Sequence, residues 1–261
     1  MILKQGDCLS LMKEIKSKSI DMILCDLPYG TTKCKWDTVI PFEPLWNEYN
    51  RIIKDNGVVA LFGSEPFSSR LRISNLQNYK YDIVWEKSKA TGFLNAKKRP
   101  LVAHENISLF YKKQPIYNPQ FSYGKSYDKG IRKAQTEDDV YGKFSQTSVK
   151  SDGARYPRSV RYYKTAESEG KTYHKTQKPV LLLEDLIKTY SNESEIILDN
   201  CMGSGSTGVA CVNTSREFIG FELDDNYFKI AENRIQEAIC LKQGIPMIKP
   251  EILDTSLDYS A

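Results

Sequence analysis

"LDNCMGSGSTGVACVNTSREFIGFELDD" occupies residues 198–225, and its reading decides the fold. A strand over Glu195–Asp199 runs into a loop with Gly203, Gly205 and Gly208, then a short helix. A second strand, Glu217–Leu223, follows with Glu222 at its end. Gly203-x-Gly205-x-x-Gly208 matches G-x-G-x-x-G, where glycines permit a tight turn and a helix N-terminus attracts negative charge. Val209-Ala210 stand where a P-loop needs Lys-Ser/Thr, so a triphosphate cradle is excluded. Such a unit usually opens its domain. Here it lies nearly two hundred residues into a chain of 261, so the preceding residues have to supply the rest of its sheet.

Two acids narrow the ligand. Glu222, at the end of the second strand, can accept both hydroxyl protons of a ribose. Asp199 ends the first strand just before the glycines, where a carboxylate would repel a dinucleotide pyrophosphate. It suits a cofactor carrying an ammonium group, and S-adenosyl-L-methionine has a ribose, an adenine and a cationic amino-acid arm. A nicotinamide dehydrogenase is the rival reading of the glycine loop. It predicts a glycine loop near a domain start and gives Asp26-Leu27-Pro28-Tyr29 no role.

The remaining periodicities complete an α/β pattern. "IDMILCD" (20–26) and "VVALFG" (58–63) are continuous apolar runs of strand length, buried on both faces. "YDIVWEK" (81–87) and "ENISLFYK" (105–112) read as further strands. Helices are expected over Leu9–Ile15 and through Phe42, Leu45, Trp46, Tyr49, Ile52 and Ile53, where Gly57 follows as a stop. Ser64 is a candidate cap for the next helix, with Pro66 in its first turn. Pro179 opens a helix with an apolar face of Leu183, Leu186, Ile187 and Tyr190, and Phe228, Ala231, Ile235 and Ile239 mark the last one. Strands alternating with helices imply a doubly wound, mostly parallel, Rossmann-like sheet covered on both faces. The expected organisation is one discontinuous domain, 1–111 and 172–243, an insert at 112–171, and a loose tail from Gly244 to residue 261.

Composition removes several classes. No apolar run reaches the ~20 residues of a membrane span, and "MILKQGDC" lacks a signal-peptide core. The six cysteines form no C-x-x-C pair and point to reduced thiols in a cytoplasmic protein. With two histidines and no metal-ligand spacing, no metal site is expected. The net charge of +4 is uneven: residues 112–178 hold 15 Lys/Arg against 7 Asp/Glu, a net of +8, which leaves −4 for the remainder. The same stretch has ten Tyr/Phe and five Ile/Val/Leu/Met, too few aliphatics for a strong core. It suits a phosphate-tracking surface with aromatics set among bases. It suits a solvated insert equally well.

"CDLPYG" (25–30) follows the strand at 20–26 and therefore sits at the carboxyl edge of the sheet, where open α/β sheets bind ligands. Asp, Pro and Gly also make an ordinary turn. Beside a methyl-donor pocket, however, Asp26-Leu27-Pro28-Tyr29 resembles the D-P-P-Y motif of the amino-methylating DNA methyltransferases, in their permuted (beta) class. "LDNCMGSGSTGVA" resembles that family's cofactor loop, "HKTQKPVLLLEDLI" (174–187) the segment before it and "GFELDDNYFKIAENRI" the segment after it. "QGDCLSLM" (5–12) resembles the family's opening, and "WEKSKATGFLNAKKRPLVAHENISLFYK" the stretch between catalysis and target recognition.

The resemblance implies a site-specific DNA methyltransferase acting on double-stranded DNA, with S-adenosyl-L-methionine as cofactor. Asp26 and the Leu27 carbonyl would accept the two N–H bonds of an exocyclic amine, Pro28 would fix the turn, and Tyr29 would stack on a base flipped out of the duplex. An aspartate at the first motif position accompanies adenine-N6 in this family and serine accompanies cytosine-N4, so adenine is expected and cytosine is the alternative. The cofactor residues carried over are Asp7 (against the adenine), Cys8, His174 and Lys178 (beside the cofactor carboxylate), Asp199, Cys201, Gly203, Ser204, Gly205, Ser206, Thr207, Glu222 and Leu223. Leu27 replaces a proline and Cys201 a phenylalanine, and the second change removes an aromatic surface from the cofactor pocket. Residues 112–171 would be the target recognition region, with Arg155, Arg158, Arg161 and Lys164 as candidate DNA contacts. The resemblance admits a partner restriction nuclease or none, and a monomer or a homodimer.

Overall fold

A computed structural model describes residues 1–31, 37–131, 148–174 and 176–246. Cys34 and most of the tail from Gly244 lie outside the described residues. In the first part of the chain are β1 (Ile2–Gln5), α1 (Cys8–Met12), β2 (Ile20–Cys25), α2 (Phe42–Ile52), β3 (Ile53–Gly63), α3 (Phe67–Ser74), β4 (Tyr79–Thr91) and β5 (Val102–Phe110). Short strands follow: β6 (Ser122–Tyr123), β7 (Tyr127–Ile131), β8 (Ser148–Ser151), β9 (Ala154–Arg155) and β10 (Val160–Tyr163). The chain then forms α4 (Val180–Tyr190), β11 (Ile196–Asp199), α5 (Ser206–Thr214), β12 (Glu217–Glu222) and α6 (Asp225–Gln243).

Eight strands make the central sheet, in the order β1-β12-β11-β2-β3-β5-β4-β10. All neighbouring pairs are parallel except those of β5, which runs against both β3 and β4. Alternate residues of β2 go to opposite faces: Met22 and Leu24 join a core with α4, α5 and α6, while Ile23 and Cys25 join one with α1, α2 and α3. This two-sided burial is why the strand reads as an unbroken apolar run. Close packing of α5 on α6 depends on glycine. A Cβ at Gly205 would lie 2.9 Å from the Ala231 Cα, and one at Gly208 would lie 2.3 Å from the Ile235 Cδ1.

One expectation is corrected. Ser64 does not cap α3 with its side chain; the Glu65 carboxylate does this work, accepting the Ser69 N–H at 3.1 Å. The region 112–171 reaches the sheet: β10 pairs with β4 as an edge strand, and the Trp85 indole donates to the Tyr163 carbonyl at 3.0 Å. β1 had no expectation: it is four residues long and half-exposed, so it carries no apolar run.

Candidate active site

Because β2, β11 and β12 are parallel neighbours, their carboxyl ends deliver Asp26, Asp199 and Glu222 to one edge of the sheet. A cavity of about 430 Å³ opens there. That lies within the roughly 300–1,000 Å³ range of small-molecule sites.

On one side of the cavity is the glycine loop. Asp199 is buried, accepting the Thr207 hydroxyl at 2.6 Å and the Cys201 N–H at 3.1 Å. Burial pushes its carboxyl up to about 6, against those hydrogen bonds. Glu222 accepts the Gly203 N–H at 2.8 Å and the Asp224 N–H at 2.9 Å, and burial raises its pKa as well. Each carboxylate oxygen has a second lone pair, so Glu222 can hold the loop and still face a diol. Gly203 has a φ of +50°, and no atom lies where its Cβ would sit, so the backbone is bare toward the cavity. Arg234, which nothing in the sequence singled out, donates to the Ser204 carbonyl and to the hydroxyls of Ser204 and Ser206, fixing the loop from behind. Asp7 caps α1 through the Ser10 N–H at 2.9 Å and lines the cavity with Cys8.

On the other side is Asp26. Its Oδ1 accepts the Tyr29 hydroxyl at 2.7 Å, and its Oδ2 is bound by the Lys178 ammonium. Leu27 is buried in the core beneath the turn, and Tyr29 stacks on Phe67 with ring centroids 4.8 Å apart. Behind Lys178 stands Glu105, ion-paired to it at 3.2 Å though off hydrogen-bond geometry, and Glu105 also binds Lys87. Two acids and two lysines thus form a buried, neutral chain ending on Asp26. Burial raises the Asp26 pKa and the nearby Glu105 charge adds to this, against the pull of Lys178. Burial would lower Lys178, but Asp26 and Glu105 outweigh it and keep the ammonium charged. For Glu105, the two lysines overcome burial and hold the carboxyl below its usual value. Beyond the turn, Asp37 accepts the Gly30 N–H at 2.8 Å and the Thr31 N–H at 2.9 Å, which ties down the chain after Tyr29.

Most of the residues expected around the ligand line this one cavity: Asp7, Cys8, Asp26, Leu27, Pro28, Tyr29, His174, Lys178, Asp199, Cys201, Gly203, Ser204, Ser206, Thr207, Glu222 and Leu223. Gly205 does not; it packs on Ala231 behind the loop. Lys178 lies on the Asp26 side, bound to two carboxylates, which argues against a cofactor carboxylate as its partner. His174 packs its ring on Tyr227 at 4.4 Å, and burial lowers its pKa. Among the candidate DNA contacts, Arg158 and Lys164 are exposed. Arg161 is not free for phosphate, being ion-paired to Asp185 with its side chain 10% exposed. Arg155 donates to the Ser151 hydroxyl and the Lys125 carbonyl and lies over the Tyr127 ring, which makes it a brace of the β6–β9 region.

A family model described as DNA methylase, covering N6 and N4 enzymes, matches residues 20–233. This chain belongs to that DNA methylase family. The match decides between the two readings of the glycine loop, in favour of a methyl donor over a nicotinamide. The methylase is 27% identical over 282 residues to the type II methyltransferase M.HinfI of Haemophilus influenzae, covering 95% of this chain and 72% of the relative. It is 26% identical to M2.DpnII of Streptococcus pneumoniae, covering 90% of each. Among solved structures it resembles the M1.HpyAVI–SAM complex, with a TM-score of 0.61, 25% identity, and coverage of 90% of this chain and 98% of the other. The cytosine-N4-specific PvuII DNA methyltransferase shares the fold at a TM-score of 0.62 and 15% identity, over 93% of this chain and 92% of the other. Among the described residues, no helix of the methylase is long and apolar enough to cross a membrane.

Proposed function

We propose that this methylase acts on the N6 amine of adenine in double-stranded DNA. The observation that carries this reading is Asp26 at the end of β2, lining one cavity with Asp199 and Glu222. The cofactor is S-adenosyl-L-methionine, which supplies an electrophilic methyl group on a sulfonium. The residues present fit it. Asp199 suits the ammonium, Glu222 the ribose hydroxyls, and the hydroxyls and first-turn N–H groups at the start of α5 suit the carboxylate. Asp7 and Cys8, which line the same cavity, suit the adenine.

The exocyclic amine is a poor nucleophile because its lone pair is delocalised into the ring. The Asp26 carboxylate and the Leu27 carbonyl accept its two N–H bonds and draw it toward tetrahedral geometry. The substitution of leucine for proline at 27 is compatible with this role, since the side chain is spent on the core and the carbonyl remains. Tyr29 and Lys178 fix the carboxylate before the base arrives, so little reorganisation is left for the reactive step. Preference for adenine over cytosine rests on aspartate at position 26. A restriction nuclease as partner belongs to the same reading.

Long-read sequencing of DNA from cells expressing the protein tests it. N6-methyladenine at one recurring context is the expected outcome, absent with Asp26→Ala. N4-methylcytosine would transfer the assignment to cytosine, and unmodified DNA would refute the function.

A further inference from the structure

β4 and β5 leave the sheet together as an arm. Since β5 opposes both β3 and β4, β4 points the same way as β2 and emerges at the edge that carries Asp26. Lys87 on β4 is joined through Glu105 and Lys178 to Asp26 itself, so the arm is rooted at the catalytic carboxylate. From there residues 88–101 are exposed throughout. The four steps from Lys87 to Thr91 carry the arm about 13 Å outward at strand rise. At its tip Gly92, with a φ of +88°, turns the chain, and the Asn95, Ala96, Lys98 and Arg99 N–H groups bond back to the carbonyls of Gly92, Phe93 and Asn95. This ordered turn holds Phe93 80% exposed and Leu94 98% exposed. Between Glu86 and Glu105 the chain has five Lys/Arg and no Asp/Glu, and Lys97, Lys98 and Arg99 lie on the tip itself.

We propose that this arm is a DNA wedge: Phe93 and Leu94 enter the base stack beside the target nucleotide, and Lys97, Lys98 and Arg99 hold the flanking phosphates. The inference rests on the DNA methyltransferase reading above and adds a contact outside the 112–171 region. A base drawn out to Asp26 leaves a gap, and apolar side chains inserted between base steps fill such gaps. A prominent apolar pair asks for a cover. A second copy is disfavoured as that cover, because a two-fold contact would press two cationic tips together. A polyanion is attracted by the same charges.

The test uses Phe93→Ser/Leu94→Ser and Lys97→Ala/Lys98→Ala/Arg99→Ala in the full chain. The substrates are oligonucleotide duplexes bearing the site found by sequencing, with the target base opposite its normal partner or opposite an abasic position. The wedge variant should methylate the paired duplex about tenfold more slowly or worse, and regain near wild-type rate on the abasic-opposed one, with KM for the cofactor unchanged. The cation variant should bind the paired duplex more weakly and lower the log–log salt slope by up to about 2.7. A wedge variant that matches wild type on the paired duplex overturns the inference, as does an equal loss on both duplexes. A shift in self-association by sedimentation with unchanged duplex rates also overturns it, in favour of a second copy as the cover. If the wild type methylates no DNA, the underlying function fails and the wedge with it. An active wild type with indifferent variants sinks the wedge alone.

Discussion

Replacing Lys178 by Met should move the pH dependence of methyl transfer rather than simply lower the rate. The ammonium is buried between Asp26 and Glu105, and methionine keeps the side chain's bulk while removing its charge. Glu105 retains Lys87, so the acid left without a cation is Asp26. An opposite charge at this range depresses a carboxyl pKa by about 1–3 units, and burial already holds Asp26 above the usual carboxylate range. Loss of the ammonium therefore pushes the Asp26 pKa further up. A protonated Asp26 no longer offers a charged acceptor to the amine. The ionised form at a given pH falls with each unit of that rise, by at most tenfold per unit, so the rate should drop and the rising limb of the profile should move by about 1–3 units to higher pH. The rate should recover by up to about tenfold per pH unit as the pH rises toward the new pKa. Glu105→Gln has the opposite sign: it removes a negative charge that raises Asp26, so the rising limb of the profile should shift to lower pH. The assay is single-turnover methylation across pH, with thermal melts to confirm folding. A Lys178→Met profile that overlays wild type, with the loss confined to KM for the cofactor, would refute this account and return Lys178 to the cofactor carboxylate.

Cofactor affinity should itself depend on pH, through Asp199. Its carboxyl titrates at about 6, so calorimetric affinity for S-adenosyl-L-methionine should fall as the pH drops through that value, and Asp199→Asn should bind weakly with a flat profile. Glu222→Ala should weaken cofactor binding about ten- to a hundredfold, since a charged hydrogen-bond acceptor is worth roughly 1.5–3 kcal/mol; unchanged affinity would mean the diol lies elsewhere. Gly208→Ala should lower stability by about 1–3 kcal/mol in denaturant titration, because the new methyl meets Ile235 and the Phe218 ring. On the 112–171 region, Arg158→Ala/Lys164→Ala should flatten the salt dependence of DNA binding by up to about 1.8 on the log–log scale, and a wild-type slope would remove that face from the DNA interface.

The parts of this enzyme that were legible are those whose information is local. The run at 20–26 announces β2 because both its faces are buried, and the glycines announce the loop because Gly203 and Gly205 adopt positive φ. Asp26, Asp199 and Glu222 could be brought together on paper because parallel strands put their carboxyl ends on one edge. What was not legible depends on pairing across the chain. Nothing near Glu105 or Lys87 says that a lysine some seventy positions downstream of Glu105 will bind between that acid and Asp26. Arg161 looked like a phosphate ligand because its partner, Asp185, is on a helix 24 positions away. Nothing around Arg234 marks it as a partner of the loop, because its contact with Ser204 forms only once α6 packs against the sheet. The reversed direction of β5 could not be read either, since an apolar run is the same in both senses.

The order of strands in the sheet also sets a clock. β2, which leads into Asp26, is flanked by β3 and by β11, and its Asp21 accepts from the Ile196 N–H, 175 positions later. At about 5–20 residues per second, a ribosome makes the catalytic turn roughly 10–35 seconds before that neighbour exists. Through that interval β2 has an unpaired edge lined by Met22, Ile23 and Leu24, the kind of edge that recruits other chains. Glu222 and α6 come later still. A growing chain therefore holds Asp26 before Asp199 and Glu222 exist beside it, and cannot mark DNA. Activity arrives at once, when the last strands close on the first.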